Sequence, residues 1–103
     1  MTLTFGPAIH PGEVLREEFL HPLGLSAGAL ASQLSVPRTR IERLVKEQTP
    51  VTPDTALRLS RALGTSAQFW MNMQAAYDLA VAETANSEQL NAIEPLKGLA
   101  QAS

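Results

Sequence analysis

The sequence has 103 residues, which fits one domain, and its 45% apolar and 17% charged content is that of an ordinary globular chain able to bury one modest core. It holds no cysteine, so disulfides and thiolate metal sites are excluded. No apolar run approaches the roughly 20 residues that span a bilayer, and Met1 to His10 shows no basic stretch followed by an apolar one; the expectation is a soluble, cytoplasmic protein with no membrane attachment and no cofactor.

Three segments are expected: an N-terminal arm over 1–10, a helical domain over 11–84 and a C-terminal extension over 85–103. Thr2-Leu3-Thr4-Phe5 reads as a brief extended arm or as disordered chain. Pro11 suits the first position of a helix, where its missing N–H costs nothing. Val14, Leu15, Phe19 and Leu20 make the apolar stripe of that helix. Glu13, Glu17 and Glu18 lie toward the positive end of its dipole, and Pro22 and Gly24 end it. Ser26 caps a second, short helix with Leu30, Ala31 and Leu34 inward, stopping near Ser35.

Pro37 opens a third helix as its first residue. Ile41, Leu44 and Val45 face inward, while Arg38, Thr39, Arg40, Glu42, Arg43 and Lys46 face out; Thr49 and Pro50 break it. Thr52, Pro53 and Asp54 start a fourth helix, with Ala56, Leu59 and Leu63 inward and Leu57 widening the face. Gly64 ends it as a left-handed cap. Ser66 caps a longer fifth helix to about Glu83, carrying Phe69, Trp70, Met73, Tyr77, Ala80 and Val81 as a broad stripe. Leu90, Ile93 and Leu96 mark one further short helix before Pro95 and Gly98 interrupt it. No strand alternation is present, so the fold class is all-α.

Two short helices joined by a turn as tight as that between Leu34 and Pro37 must cross steeply, which is the helix-turn-helix arrangement. The second helix then offers its first turn and outer face to a major groove. The formal net charge is −2, but the stretch from Ser26 to Leu63 carries six basic residues against three acidic ones, and the rest carries two against seven. A local basic surface on an acidic chain still steers toward phosphate. Arg38 and Arg43 can pair bidentately with guanine, and Thr39 offers a hydroxyl or a methyl. Arg40, Lys46 and the helix start at Ser26 suit phosphate. Glu42 either accepts from cytosine or pairs with a neighbouring basic residue such as Lys46. The stripe on the fifth helix is wider than four short helices can cover, so Met73, Tyr77, Ala80 and Val81 are expected to meet a second copy. His10 and His21 have no second ligand at metal spacing and read as surface or helix-end residues. Asn72, Gln74 and Asp78 read as hydrogen-bonding between helices. No nucleophile, base and pocket assemble, so no enzyme is expected.

From Pro11 to about Pro95 the chain resembles the HigA antitoxin family of Xre/Cro-type helix-turn-helix proteins. The residues that carry the likeness are His10-Pro11-Gly12-Glu13-Val14-Leu15, Phe19-Leu20, Pro22-Leu23-Gly24-Leu25, Val36 with Arg38, Thr52-Pro53-Asp54-Thr55-Ala56-Leu57-Arg58-Leu59, and above all the run from Leu63-Gly64-Thr65-Ser66 through Phe69-Trp70-Met71 to Tyr77-Asp78-Leu79. The resemblance implies a five-helix, lambda-repressor-like domain with a short C-terminal extension, and a homodimer on an inverted-repeat operator in double-stranded DNA at its own promoter. It also implies a HigB-type, ribosome-dependent messenger-RNA-cleaving toxin as partner, with base contacts from Arg38, Thr39 and Arg43. Two departures subtract phosphate contacts: Ala27 stands where the family commonly has glutamine, and Glu47-Gln48-Thr49-Pro50 replaces a basic loop. The alternatives from the sequence are a stand-alone regulator of the same fold without a toxin, and a protein-interaction module that has lost DNA binding.

Overall fold

The computed structural model describes residues 8–98. Residues 1–7 of the arm expected over 1–10, with the stretch Thr2 to Phe5, and the last part of the extension, 99–103, lie outside the described residues. Six helices follow one another: α1 (11–23), α2 (Ala27–Leu34), α3 (Arg38–Val45), α4 (Pro53–Leu63), α5 (Ala67–Ala85) and α6 (Ser87–Asn91). The described residues contain no strand, as expected of an all-α helix-turn-helix protein. None of these helices is long and apolar enough to cross a membrane.

The first helix begins as its sequence dictates. Pro11 sits in the first turn, and the His10 ring caps it, Nδ1 accepting from the Gly12 N–H at 2.9 Å. His10 is thus a helix-end residue, yet it is buried rather than on the surface, with its ring edge-on to Tyr77 at 4.8 Å. The middle of α1, Leu15–Leu20, is wound as a π-helix; at its end the His21 N–H reaches back five residues to the Arg16 carbonyl. That winding puts Leu15 and Leu20, five apart, both in the core.

One core unites α1 to α5: Leu15 and Leu20 meet Leu30, Ala31, Leu34, Ile41, Leu44, Val51, Ala56, Leu59 and Trp70. Trp70 is fully buried between Phe19 and Phe69, and its indole N–H donates to Thr65 Oγ1 at 2.7 Å. The expected hydrogen-bonding role of Gln74 is realised against a loop. Its buried Oε1 accepts from the Val51 N–H at 2.7 Å, and its amide donates to Asp78 along α5. The loop from α3 to α4 is therefore tied to the longest helix. Among the described residues the Asn72 side chain bonds within α5, its Oδ1 accepting from Gln68.

Several expectations need correction. Pro37 is the extended N-cap of α3 rather than its first residue, because its ψ of 142° cannot begin a helix. The same helix, expected to reach Glu47, stops at Val45, since Glu47 takes a left-handed backbone with φ 62°. Leu57 is exposed and does not widen the buried face of α4, which Ala56 and Leu59 already fill. The last helix spans only Ser87–Asn91, and Leu90, Ile93 and Leu96 are all exposed.

The approach of α1 to α3 is set by a glycine. A Cβ built on Gly12 would sit 1.8 Å from the carbonyl oxygen of Leu44, a backbone atom that cannot step aside. Gly12→Ala is therefore expected to destabilise the protein by about 1–3 kcal/mol through overpacking. Each kcal/mol should lower Tm by about 4–8 °C in a domain of this size. Thermal melts followed by circular dichroism check this; an unchanged Tm would show that the two helices part freely.

Candidate nucleic-acid interface

The helix-turn-helix pair is α2 and α3. Ser26 caps α2, its hydroxyl accepting from the Ala29 N–H at 3.0 Å. The helix ends on Ser35, left-handed at φ 58°, and the Val36 N–H closes back onto the Ala31 carbonyl at 3.0 Å. Pro37, in extended backbone, then caps α3. Ile41 and Leu44 sink into the core and Val45 is half-buried. Residues 37–40 and Arg43 are consequently left exposed on the opposite side.

Each helix is followed by a non-glycine residue in left-handed backbone, Ser35 directly after α2 and Glu47 two residues after α3, a conformation that costs energy in L-residues. Each end is also gripped by an arginine from a flanking helix. Arg58 of α4 donates from Nη1 to the Leu34 carbonyl, the end of α2, at 2.8 Å. Arg16 of α1 donates from Nη1 to the Val45 carbonyl, the end of α3, and lies 3.3 Å from the Glu47 carboxylate. A cation on a terminal carbonyl satisfies an acceptor that the helix leaves open and complements its dipole.

The expected interface residues fall into three places. Arg38 and Ser26 come together at one end, because Gly28 leaves room for the arginine stem: a Cβ there would lie 3.0 Å from Arg38 Cδ. The Arg38 side chain is 73% exposed and its Nε lies 3.5 Å from Glu42, so the neighbouring basic residue that Glu42 meets is Arg38. Thr39, Arg40 and Arg43 line an open groove of about 440 Å³ between α3 and the start of α4, with Thr49 and Thr52 opposite. Lys46 follows the last turn of α3 and is exposed. Among the described residues Arg43 and Lys46 make no ion pair. Arg40 does: Nη1 meets Asp54 Oδ2 at 2.6 Å, while Arg58 Nε holds the same carboxylate at 3.0 and 3.1 Å.

These arginines shift their partners. The hydrogen bond from Arg40, reinforced by that from Arg58, holds the Asp54 carboxyl below the usual carboxylate range. The hydrogen bond from Arg16 does the same to Glu17 and raises Arg16 in turn. Among the described residues no group of three or more His, Cys, Asp or Glu could hold a metal.

The stripe expected to meet a second copy divides. Met73 packs partly on the core and Tyr77 is half-buried against His10, whereas Ala80 and Val81 are exposed. Every residue from Asp78 to Gly98 is exposed, Leu79 at 71%. Sequence reasoning missed the supporting roles of Gly12, Arg16 and Arg58. The four-residue spacing of Asp54 and Arg58 signalled that pair; nothing local signals a contact as distant as Arg16 to Val45.

Because the folded Asp54 carboxyl titrates below its ordinary value of 3.8, its pairing stabilises the fold fully above about pH 5 and is lost as pH falls through the lowered value. Half-exposed, it contributes little. The stability gap between wild type and Asp54→Asn should be constant near neutrality and should close in acid below pH 3.8. Urea titrations across pH check this; a gap that widens in acid would reverse the sign.

Residues 15–70 match the family model described as helix-turn-helix. The chain is 58% identical to virulence-associated protein I of Dichelobacter nodosus, over 87% of this chain and 82% of that protein. It is 35% identical to antitoxin HigA-1 of Vibrio cholerae, over 82% of this chain and 80% of that one. Among solved structures, Pseudomonas aeruginosa antitoxin HigA with the higBA promoter superposes with a TM-score of 0.84 at 49% identity, covering 86% of this chain and 98% of that one.

Proposed function

The chain belongs to the HigA family of helix-turn-helix antitoxins, and from that premise we propose that it is a cytoplasmic, dimeric DNA-binding antitoxin. It represses its own operon and neutralises a HigB-type messenger-RNA-cleaving toxin by forming a complex with it. It acts by binding and not by catalysis.

One observation carries the DNA half of this reading. Ile41 and Leu44 anchor α3 from within while Arg38, Thr39 and Arg43 stand exposed along its outer side. The P. aeruginosa relative, 49% identical, was solved with promoter DNA. In a dimer two such helices enter successive major grooves about 34 Å apart. Arg38 and Arg43 read bases, Thr39 assists, and Lys46 and the α2 start at Ser26 meet phosphates. The exposed Ala80 and Val81 of α5 meet the second copy, with Met73 and Tyr77 at the margin of that contact. The acidic loop is less hostile to phosphate than its sequence suggests, since Arg16 lies against Glu47. The toxin half rests on family membership.

Arg38→Ala or Arg43→Ala should weaken binding to a duplex of the chain's own upstream region by about 1–3 kcal/mol, roughly 5- to 150-fold, and should weaken random duplex far less. Gel-shift titrations at one fixed salt concentration check this. Equal losses on both duplexes would reduce the two arginines to phosphate contacts.

A further inference from the structure

Arg40 occupies the groove beside Thr39 and Arg43, on the side of α3 turned away from the core. Its position suits a phosphate, yet its guanidinium is already engaged at 2.6 Å by Asp54. That carboxylate has a second arginine on it. Arg58 holds it from within α4, and Arg58 is itself fixed to the Leu34 carbonyl at the end of α2. Arg40 and Asp54 are 41% and 54% exposed, so water and salt reach the pair and another anion can exchange into it.

Resting on the DNA-binding reading above, we infer that Asp54 is a specificity-determining residue that withholds Arg40 from the DNA backbone. A phosphate of a random duplex meets a cation that is already neutralised, with a carboxylate beside it. At the correct site base contacts from the rest of α3 fix the register, and a phosphate held at that distance competes with Asp54 for Arg40. The carboxylate thereby lowers indiscriminate binding more than operator binding. Phosphate contacts dominate sequence-independent affinity and set its salt dependence, so removing the restraint should be visible in both.

The test uses the full chain as wild type, Asp54→Asn, Arg40→Ala and the double variant. Affinities are measured for the upstream-region duplex and a scrambled duplex of equal length over a range of salt. Asp54→Asn should tighten binding to the scrambled duplex by about three- to tenfold more than to the upstream one. It should also steepen the log affinity against log salt slope by about one, the share of one added phosphate contact. Arg40→Ala alone should leave scrambled binding within about twofold, and the double variant should lose the gain of Asp54→Asn. Melting curves verify folding, and Asp54→Ser replaces Asp54→Asn if the latter melts early. A gain that survives in the double variant, or no gain at all, overturns the inference while DNA binding stands. A wild type that binds neither duplex even at low salt overturns the DNA-binding reading, and the inference with it.

Discussion

The grip of Arg16 on the end of α3 is the contact on which the outer surface depends. An eight-residue helix is too short to persist alone in water. It is held by what packs behind it: Ile41 and Leu44 in the core, Gly12 against the Leu44 carbonyl, and Arg16 on the Val45 carbonyl. Two of these three come from a single turn and a half of α1. The π winding there bends the usual helical period, so that Leu15 and Leu20 face inward while Arg16 remains free to reach across. Behind this, Gln74 fastens the outgoing loop at Val51, which closes the frame around α3 from α5.

The charge of the chain is divided by the same frame. A net charge of −2 is no obstacle, because the acids and bases are sorted by location. Arg16 and Arg58 are consumed as supports, each on a helix end, and their partners Glu17, Glu47 and Asp54 belong to the support. Arg38 keeps a long contact to Glu42 at 3.5 Å, while Arg43 and Lys46 make no ion pair among the described residues. The cationic surface on and just after α3 is thus smaller than the number of its arginines suggests, and the exposed Arg61 lies apart from it on α4. Exposed ion pairs of this kind add little to stability; their larger effect is to decide which cations remain available.

Much of this was legible in the sequence because the helix boundaries are written in local chemistry. Ser26, Thr52 and Ser66 each cap a helix through the hydroxyl, and Gly64 ends α4 in left-handed backbone. The outward set on α3 followed from the spacing of Ile41 and Leu44. What escaped was non-local or broke a local rule. Glu47 adopts a glycine-like backbone without being glycine, so the sequence carries no local sign that α3 stops at Val45. The five-residue spacing of Leu15 and Leu20 recorded the π segment, but a stripe drawn at ordinary helical period passes over it. The tie of Arg40 to Asp54 crosses from one helix to another, 14 residues along the chain, and spacing alone does not reveal it.

The central claim is that α3, braced from α1, α4 and α5, presents residues 38–43 to a DNA groove. Backbone amide chemical shifts of the labelled protein, recorded while a duplex of its upstream region is added, test it most directly. The account predicts that the largest shifts fall on residues 38–43, with smaller ones around Ser26 and little change in α6. Saturating binding that leaves 38–43 undisturbed and moves other surfaces instead would contradict it.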